Sequence, residues 1–190
     1  LDLVVVLEDT PTNASGLSFT NTANYVYDWV DGDPLSQRPG QPGTSPAMTV
    51  VGPDLVYVDK SGPATMAIGV PGDFTLDVQN AGTGTAWNLT LVDQLPDVAA
   101  GGTCGAAPTV VSAQVFQSNG TTPVSGPLVA GTDFSVTFVP APTCELQLAM
   151  LSAAAAVGPT ERLIVAYQPS PDTDTQDGAG PVTRPSASGR

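Results

Sequence analysis

The sequence predicts an all-β fold made of short antiparallel strands, either a sandwich or a barrel. Only 12% of the residues are charged, whereas glycine and proline occur 20 and 19 times. Segments rich in Val, Thr and aromatic residues alternate with Gly/Pro-containing turns at the spacing of such folds. Because 41% of the 190 residues are hydrophobic, the chain can bury a core, and disorder throughout is excluded.

The N-terminal part predicts two strands followed by a linker. Leu1–Leu7 is apolar, and Ser18–Trp29 alternates Tyr, Phe and Val with polar residues, so both segments are predicted as strands. Val30–Ser45 is dense in proline and glycine and is predicted as a loop. A short extended piece follows at Met48–Val51, so that residues 30–52 form a linker ahead of the main domain.

The remaining chain predicts a domain at residues 53–168 and a polar tail at 169–190. Leu148–Val157 contains four consecutive alanines, which favour helix, but it lacks a polar face and precedes Gly158-Pro159. We interpret it as a buried turn or an irregular connection. The predicted strands of this domain are Leu55–Lys60, Ala64–Ala67, Asp73–Asn80, Trp87–Gln94, Val110–Gln117, Asp133–Val139, Glu145–Leu151 and Glu161–Gln168.

Charge and cysteine content limit the function classes. The net charge is −13, with 18 acidic against 5 basic residues, so we expect neither nucleic acid nor anionic membranes as partners. No segment is long and apolar enough to span a bilayer. The two cysteines, Cys104 and Cys144, are interpreted as one disulfide in an exported protein; the alternative is two buried thiols in a cytosolic one.

The inventory of reactive side chains argues against an enzyme. The chain has no histidine, which excludes Ser-His-Asp and Cys-His catalysis and zinc sites built on imidazole. No phosphate-binding glycine loop is present, and no cofactor is expected. Two acidic groups could bind calcium, although neither fits a complete calcium loop, and solvated turns are the alternative. These groups are Asp28, Asp31 and Asp33, and Asp172, Asp174 and Asp177.

The two ends of the chain resemble each other. Leu3 begins an apolar strand with a polar Pro/Asn/Gly loop after it, and Leu163 begins a similar strand and loop. The first copy is followed by the strand at Ser18–Trp29, but the second is followed only by a Pro/Ser/Gly-rich tail. A closing strand therefore precedes the domain that it should complete.

One segment resembles a known family. Pro53-Asp-Leu, Lys60-Ser-Gly-Pro and the run from Gly69 to Pro96 resemble the bacterial surface repeat called domain of unknown function eleven, also described as a fimbrial isopeptide-forming domain. The closing strand resembles the family at Phe19-Thr-Asn-Thr-Ala-Asn-Tyr-Val-Tyr. The matching positions are Lys60, Asn80, Gly82, Gly84, Ala86, Asp93, Leu95 and Pro96.

This resemblance implies an immunoglobulin-like antiparallel β-sandwich outside the bacterial cell, and it gives no indication of a catalytic function. It also implies a candidate isopeptide bond between Lys60, the only lysine, and Asn21 or Asn24 on the closing strand, with Asp77 as the neighbouring acid. The chemistry needs a desolvated amine beside a protonated carboxyl. The alternative is a solvated surface lysine.

The displaced strand suggests how copies join. Residues 1–29 would act as donor strands that complete an identical neighbour, with Phe19, Tyr25, Tyr27 and Trp29 on one face of the strand. We therefore expect a structural subunit of an extracellular fibre that polymerises head to tail. The alternative is a stalk repeat of a large cell-surface adhesin with no intrinsic activity.

Overall fold

The computed structural model describes residues 14–98 and 101–173 of the chain. In these ranges the protein consists of antiparallel strands and two short 3-10 helices, without an α-helix, which confirms the all-β prediction. The chain divides into two compact units at Gly52 and Pro53. No helix in the described ranges has the length and apolar character of a membrane span.

The described part of the first unit, residues 14–52, is an interrupted two-stranded ribbon. β1 pairs with β6, β2 with β5 and β3 with β4, all antiparallel. A 3-10 helix at Pro34–Ser36 forms the tip, and the Asp33 side chain accepts a hydrogen bond from the Leu35 amide at 2.9 Å. The strands are β1 (Ser18–Phe19), β2 (Thr22–Ala23), β3 (Val26–Asp28), β4 (Gln37–Pro39), β5 (Gly43–Thr44) and β6 (Met48–Thr49).

The segment 30–52 differs from the predicted linker, because it supplies β4, β5 and β6. Its prolines do not prevent pairing, since an edge strand can spare an N–H group on its outer side. Pro39, for example, lies opposite Val26. Composition alone could not distinguish a proline-rich edge strand from a loop.

The continuous strand predicted at Ser18–Trp29 is interrupted into three short strands. Ala23 pairs with Gly43 and Tyr27 pairs with Arg38. The first arm of the ribbon (β1–β3) therefore advances by four residues between these pairs, whereas the second arm (β4–β6) advances by five. The additional residues produce bulges, which break the ladder between the paired segments. The alternating pattern of the first arm does not reveal these bulges, because the extra residues lie on the second arm.

The second unit begins at Pro53 and contains two larger antiparallel sheets. The first has the strand order β12-β15-β8-β7, and the second has the order β13-β14-β9. β10 and β11 form a separate small hairpin. The strands are β7 (Leu55–Ser61), β8 (Phe74–Asn80), β9 (Thr90–Gln94), β10 (Asp97–Val98), β11 (Gly101–Gly102), β12 (Thr109–Phe116), β13 (Phe134–Val139), β14 (Glu145–Met150) and β15 (Arg162–Gln168).

Both sheets contribute to one hydrophobic core. Along β14 and β15 every second residue is buried, as expected for strands with one face against a core. Burial of a large aliphatic side chain contributes about 1.5–3 kcal/mol, so this cluster dominates the stability of the unit. Its main members are Leu76, Val78, Leu91, Ala113, Val115, Phe134, Leu146, Leu148, Met150, Leu163, Val165 and Tyr167.

One predicted strand of this unit differs from the structure, and one predicted turn agrees with it. Ala64–Ala67 is not a strand but part of the irregular connection between β7 and β8. The alanine-rich stretch forms a single 3-10 turn at Ala153–Ala155, where the Ser152 side chain accepts a hydrogen bond from the Ala154 amide at 3.2 Å. A stretch this short makes too few helical hydrogen bonds to offset the cost of nucleating an α-helix.

Candidate functional site

Strand β7 forms an uncovered edge of the first sheet. Tyr57 lies opposite Val78 and Lys60 lies opposite Leu76, so these β7 residues point to the same side as two core residues. Yet Tyr57 is 60% exposed and the Lys60 side chain 43% exposed, whereas their partners on β8 are buried. Among the residues that the structure describes, no layer covers the core-facing side of β7.

A buried carboxylate lies beside this open edge. Asp93 projects from β9 between Leu91 and Leu95, and all three residues are buried. One carboxylate oxygen of Asp93 accepts a hydrogen bond from the Lys60 ammonium, and the other accepts one from the Tyr167 hydroxyl. The two donors compensate the cost of removing a carboxylate from water.

Tyr167 provides the buried side of this cluster. Its ring packs against Phe74 with centroids 5.7 Å apart, and the residue is 1% exposed. Burial, followed by the hydrogen bond to the charged Asp93, raises the pKa of Tyr167 far above its usual value. The hydroxyl therefore remains protonated and acts as a hydrogen-bond donor at every physiological pH.

A groove runs between β7 and β9 over this cluster. It has a volume of about 400 Å³. Within residues 14–98 and 101–173, β9 pairs with a strand on one edge only, the edge facing β14. We call this feature the β7–β9 groove, and it is lined by Tyr57, Val58, Asp59, Lys60, Leu76 and Asp93.

Asp77, the acid predicted beside Lys60, lies elsewhere. Leu76 and Val78 point into the core, so Asp77 between them points to the opposite face of the sheet. There its carboxylate accepts two hydrogen bonds from the Arg162 guanidinium, and this pairing raises the pKa of Arg162 above its usual value. Asp93, not Asp77, is the acid that contacts Lys60.

The sequence contained a signal for this correction. Leu91, Asp93 and Leu95 occupy alternate positions, so the pattern of β9 places an acid at a core-facing position between two leucines. An acid in that register must find donors inside the fold. No comparable pattern identifies Tyr167, whose contact with Asp93 spans 74 positions.

The predicted donor residues lie in the first unit. Tyr25, Tyr27 and Trp29 are exposed, with Trp29 reaching 73%, and Phe19 is partly buried. The ring of Tyr25 covers Gly40, where an added Cβ would lie only 2.0 Å from a ring atom. Glycine at position 40 therefore allows the aromatic ring to lie flat on the ribbon.

The two candidate asparagines, Asn21 and Asn24, are exposed residues of this ribbon. Lys60 belongs to the second unit, so an isopeptide bond would connect residues of different units. The bond stays a prediction. The calcium prediction gains no support from Asp28, Asp31 and Asp33, which do not bring three ligand atoms together in the described ranges. Asp174 and Asp177 lie outside the described residues.

The predicted disulfide is confirmed. Cys104 and Cys144 are joined, with their Cα atoms 5.5 Å apart, and the bond connects the loop after β11 to the start of β14. The Asp172 carboxylate accepts hydrogen bonds from the amides of Cys104 and Gly105, at 3.1 and 2.6 Å. The chain after β15 is therefore fixed at the same end of the unit.

Comparisons with known proteins identify no relative: no family model, curated protein or solved structure matches this chain. The resemblance to the fimbrial repeat rests on the residue pattern alone.

Proposed function

We propose that the protein is a structural subunit of a bacterial extracellular fibre, joined head to tail by exchange of β-strands between copies. The observation that carries this proposal is the β7–β9 groove. The core residue Leu76 and the buried Asp93 line this groove, and Tyr57 and Lys60 of β7 are exposed although they lie on the core-facing side of the sheet. Within the described ranges, β9 has one edge to which no strand pairs. An added strand would supply the missing hydrogen bonds and the missing cover together.

In this proposal the second unit is an immunoglobulin-like sandwich that lacks one strand. The two sheets contain four and three strands, and the incomplete one ends at β9. A strand inserted beside β9 would cover Tyr57 and Lys60 on β7. The closing strand that the resemblance implies would occupy this place.

The donor in this proposal is the ribbon of the first unit. Two-stranded ribbons are marginally stable in water, and this one exposes Tyr25, Tyr27 and Trp29. Such exposed aromatic residues indicate a surface that is buried against a partner. Within the described residues, the arm at residues 18–28 pairs along one edge only, so in this proposal its second edge accepts β9 of a neighbouring copy.

The ribbon changes the expected form of the exchange. Since residues 37–49 already pair with the donor arm, docking would extend the second sheet by two strands rather than one. The connection between the ribbon and the second unit of its own chain is then limited to the residues around Val51–Asp54, shorter than the linker predicted at residues 30–52. A contact between two different surfaces of the same chain does not close on itself, so it propagates as a filament.

Covalent closure is a second part of the proposal. The Lys60 amine would attack the carboxamide carbon of Asn21 or Asn24, forming an amide bond and releasing one ammonia. Asp93, which already contacts Lys60, would supply and recover the proton. Covering the groove would remove water from this pair, which favours the neutral amine and the neutral acid that the reaction needs.

The test compares two substitutions on β7 of the full chain. Tyr57→Lys places a charge in the groove, whereas Val56→Lys places the same charge on the opposite face of the same strand. Both positions are exposed, so both variants should fold. Sedimentation velocity and electron microscopy should show filaments for the wild type and for Val56→Lys, and monomers for Tyr57→Lys.

Two results would contradict strand exchange. One is a wild-type chain that stays monomeric at every concentration, which would favour the adhesin stalk. The other is equal assembly by both lysine variants, which would place the contact away from the groove.

A further inference from the structure

The disulfide-bonded end of the second unit gathers more ligand atoms than a crosslink requires. Asp97, Cys104 and Cys144 place one carboxylate oxygen and two sulfur atoms within 4.8 Å of one another. They come from three separate parts of the chain: β10, the loop after β11 and the start of β14. The three ligand atoms are therefore brought together by the tertiary fold and not by closeness in sequence.

The Asp97 carboxylate contacts Cys144, although this cysteine is part of the disulfide. A carboxylate oxygen of Asp97 lies 3.4 Å from the Cys144 sulfur. A disulfide sulfur carries no proton, so this contact is not a hydrogen bond while the bond is intact. After reduction, the same carboxylate faces a thiol that can release its proton to solvent and bind a metal ion as the thiolate.

A cavity gives access to this group. It has a volume of about 540 Å³, and Asp97, Cys104 and Asp172 contribute to its wall. Thr103, the residue before Cys104, has a buried hydroxyl group without a hydrogen-bond partner in the described ranges. A metal ion entering from the cavity would find room for a water molecule as a fourth ligand.

We propose that reduction of the Cys104–Cys144 disulfide creates a site for a thiophilic divalent cation of the zinc and cadmium class, with Asp97 as the third protein ligand. A dithiol reductant transfers two electrons and two protons to the sulfur atoms and becomes a disulfide itself. Each cysteine becomes a thiol. Binding of the cation then releases both protons, because the ligands are thiolates.

The geometry suits a four-coordinate ion. Zinc binds thiolate sulfur at about 2.3 Å and carboxylate oxygen at about 2.0–2.2 Å, in a tetrahedral arrangement. Once the S–S bond is broken, the two sulfur atoms can move apart to the separation of two ligands of one ion, and rotation of the Asp97 side chain would bring its carboxylate to the same ion. The ion would then hold the loop after β11 to β14 under reducing conditions, as the disulfide does under oxidising ones.

The test uses the full chain, reduced by a phosphine and then freed of it, with Co²⁺ as the probe. The phosphine takes oxygen from water as it reduces the disulfide. We expect one Co²⁺ per chain with sulfur-to-cobalt charge-transfer absorption, displaced by Zn²⁺, and no such signal from the oxidised protein. Asp97→Asn should weaken binding by about tenfold or more, since even outer-sphere partners contribute that much.

Glu145→Gln is the matched control. It removes the same charge next to Cys144 but from a carboxylate that accepts a hydrogen bond from Gln147 instead. It should leave Co²⁺ affinity unchanged. The proposal is overturned if Asp97→Asn binds as tightly as the wild type, or if urea-unfolded reduced protein binds as tightly as the folded form. Absence of charge-transfer absorption would overturn it as well.

Discussion

The Tyr167 hydroxyl donates a hydrogen bond to the Asp93 carboxylate inside the core of the second unit. The contact joins the two sheets, because Tyr167 lies on β15 of one and Asp93 on β9 of the other. Asp93 in turn accepts a hydrogen bond from Lys60 at the open edge. The polar cluster therefore extends from the buried interior to the β7–β9 groove.

Removing the Tyr167 hydroxyl should destabilise the fold. Tyr167→Phe keeps the ring but leaves one Asp93 oxygen without its donor, so unfolding in urea should show a loss of about 1–3 kcal/mol. Tyr57→Phe removes the same atom from an exposed ring, and its effect should stay within about 0.5 kcal/mol. Equal effects of the two substitutions would show that the buried hydrogen bond contributes nothing.

The disulfide should contribute strongly to stability. It closes a loop with a sequence separation of 40 residues. The chain-entropy relation then gives about 4 kcal/mol. Cys104→Ser combined with Cys144→Ser should lower the free energy of unfolding by nearly that amount, measured with a chelator present. Adding a reductant should destabilise the wild type equally and leave the double variant unchanged. Free thiols in the unreduced, denatured wild type would contradict the bond.

Asp133 gives a pH-dependent prediction. The Ser152 hydroxyl donates to its carboxylate at 2.6 Å and the Val129 amide at 2.8 Å, and these bonds lower the pKa of Asp133 below 3.8. A lowered folded-state pKa means that the stabilisation is present above the unfolded-state pKa and is lost as pH falls through the folded-state value. NMR titration should give a midpoint below 3.8, and Ser152→Ala should raise it.

The fold class followed from composition and alternation, but the edges of the sheets did not. β14 and β15 alternate regularly, so their buried faces could be predicted. β7 has an equally apolar sequence, yet all its residues are exposed, because its cover depends on which strands lie beside it. Strand neighbours are a property of topology, which a periodic pattern does not contain.

The site was predicted in part for the same reason. Lys60 and the cysteine pair were identified because each is the sole representative of its chemistry in the chain. A position in the middle of a strand favours Asp77, but it does not determine which face is buried. The alternation of leucines around Asp93 favours that residue as the core-facing acid, whereas the placement of Lys60 on the same side follows only from the register of β7 against β8.

The ion pair between Arg162 and Asp77, on the outer face of the first sheet, should contribute more to the free energy of unfolding than a typical surface ion pair. The side chains of Arg162 and Asp77 are 19% and 11% exposed, and the guanidinium donates two bonds to one carboxylate. Arg162→Met keeps much of the packing but leaves a largely buried charge on Asp77. We expect a loss of about 1–3 kcal/mol in urea unfolding. The double variant with Asp77→Leu should recover part of it.

The last prediction concerns Lys60 and the mass of the assembled protein. If the amine of Lys60 joins Asn21 or Asn24, the mass of each linked chain falls by one ammonia. A bond between copies would also give ladders that survive boiling in detergent. Lys60→Arg keeps the charge beside Asp93 but cannot form the amide, so it should assemble without the mass loss or the ladders.

Asp93→Asn separates the roles of the two carboxylates. It removes the acid that contacts Lys60, so linking should stop although the amine is still present. Asp77→Asn removes the acid on the opposite face and should leave linking intact, because Asp77 contacts Arg162 and not Lys60. Linking in the Asp93→Asn variant at the wild-type rate would rule out Asp93 as the proton-transfer group. Assembled wild-type chains of unshifted mass would limit strand exchange to a non-covalent contact.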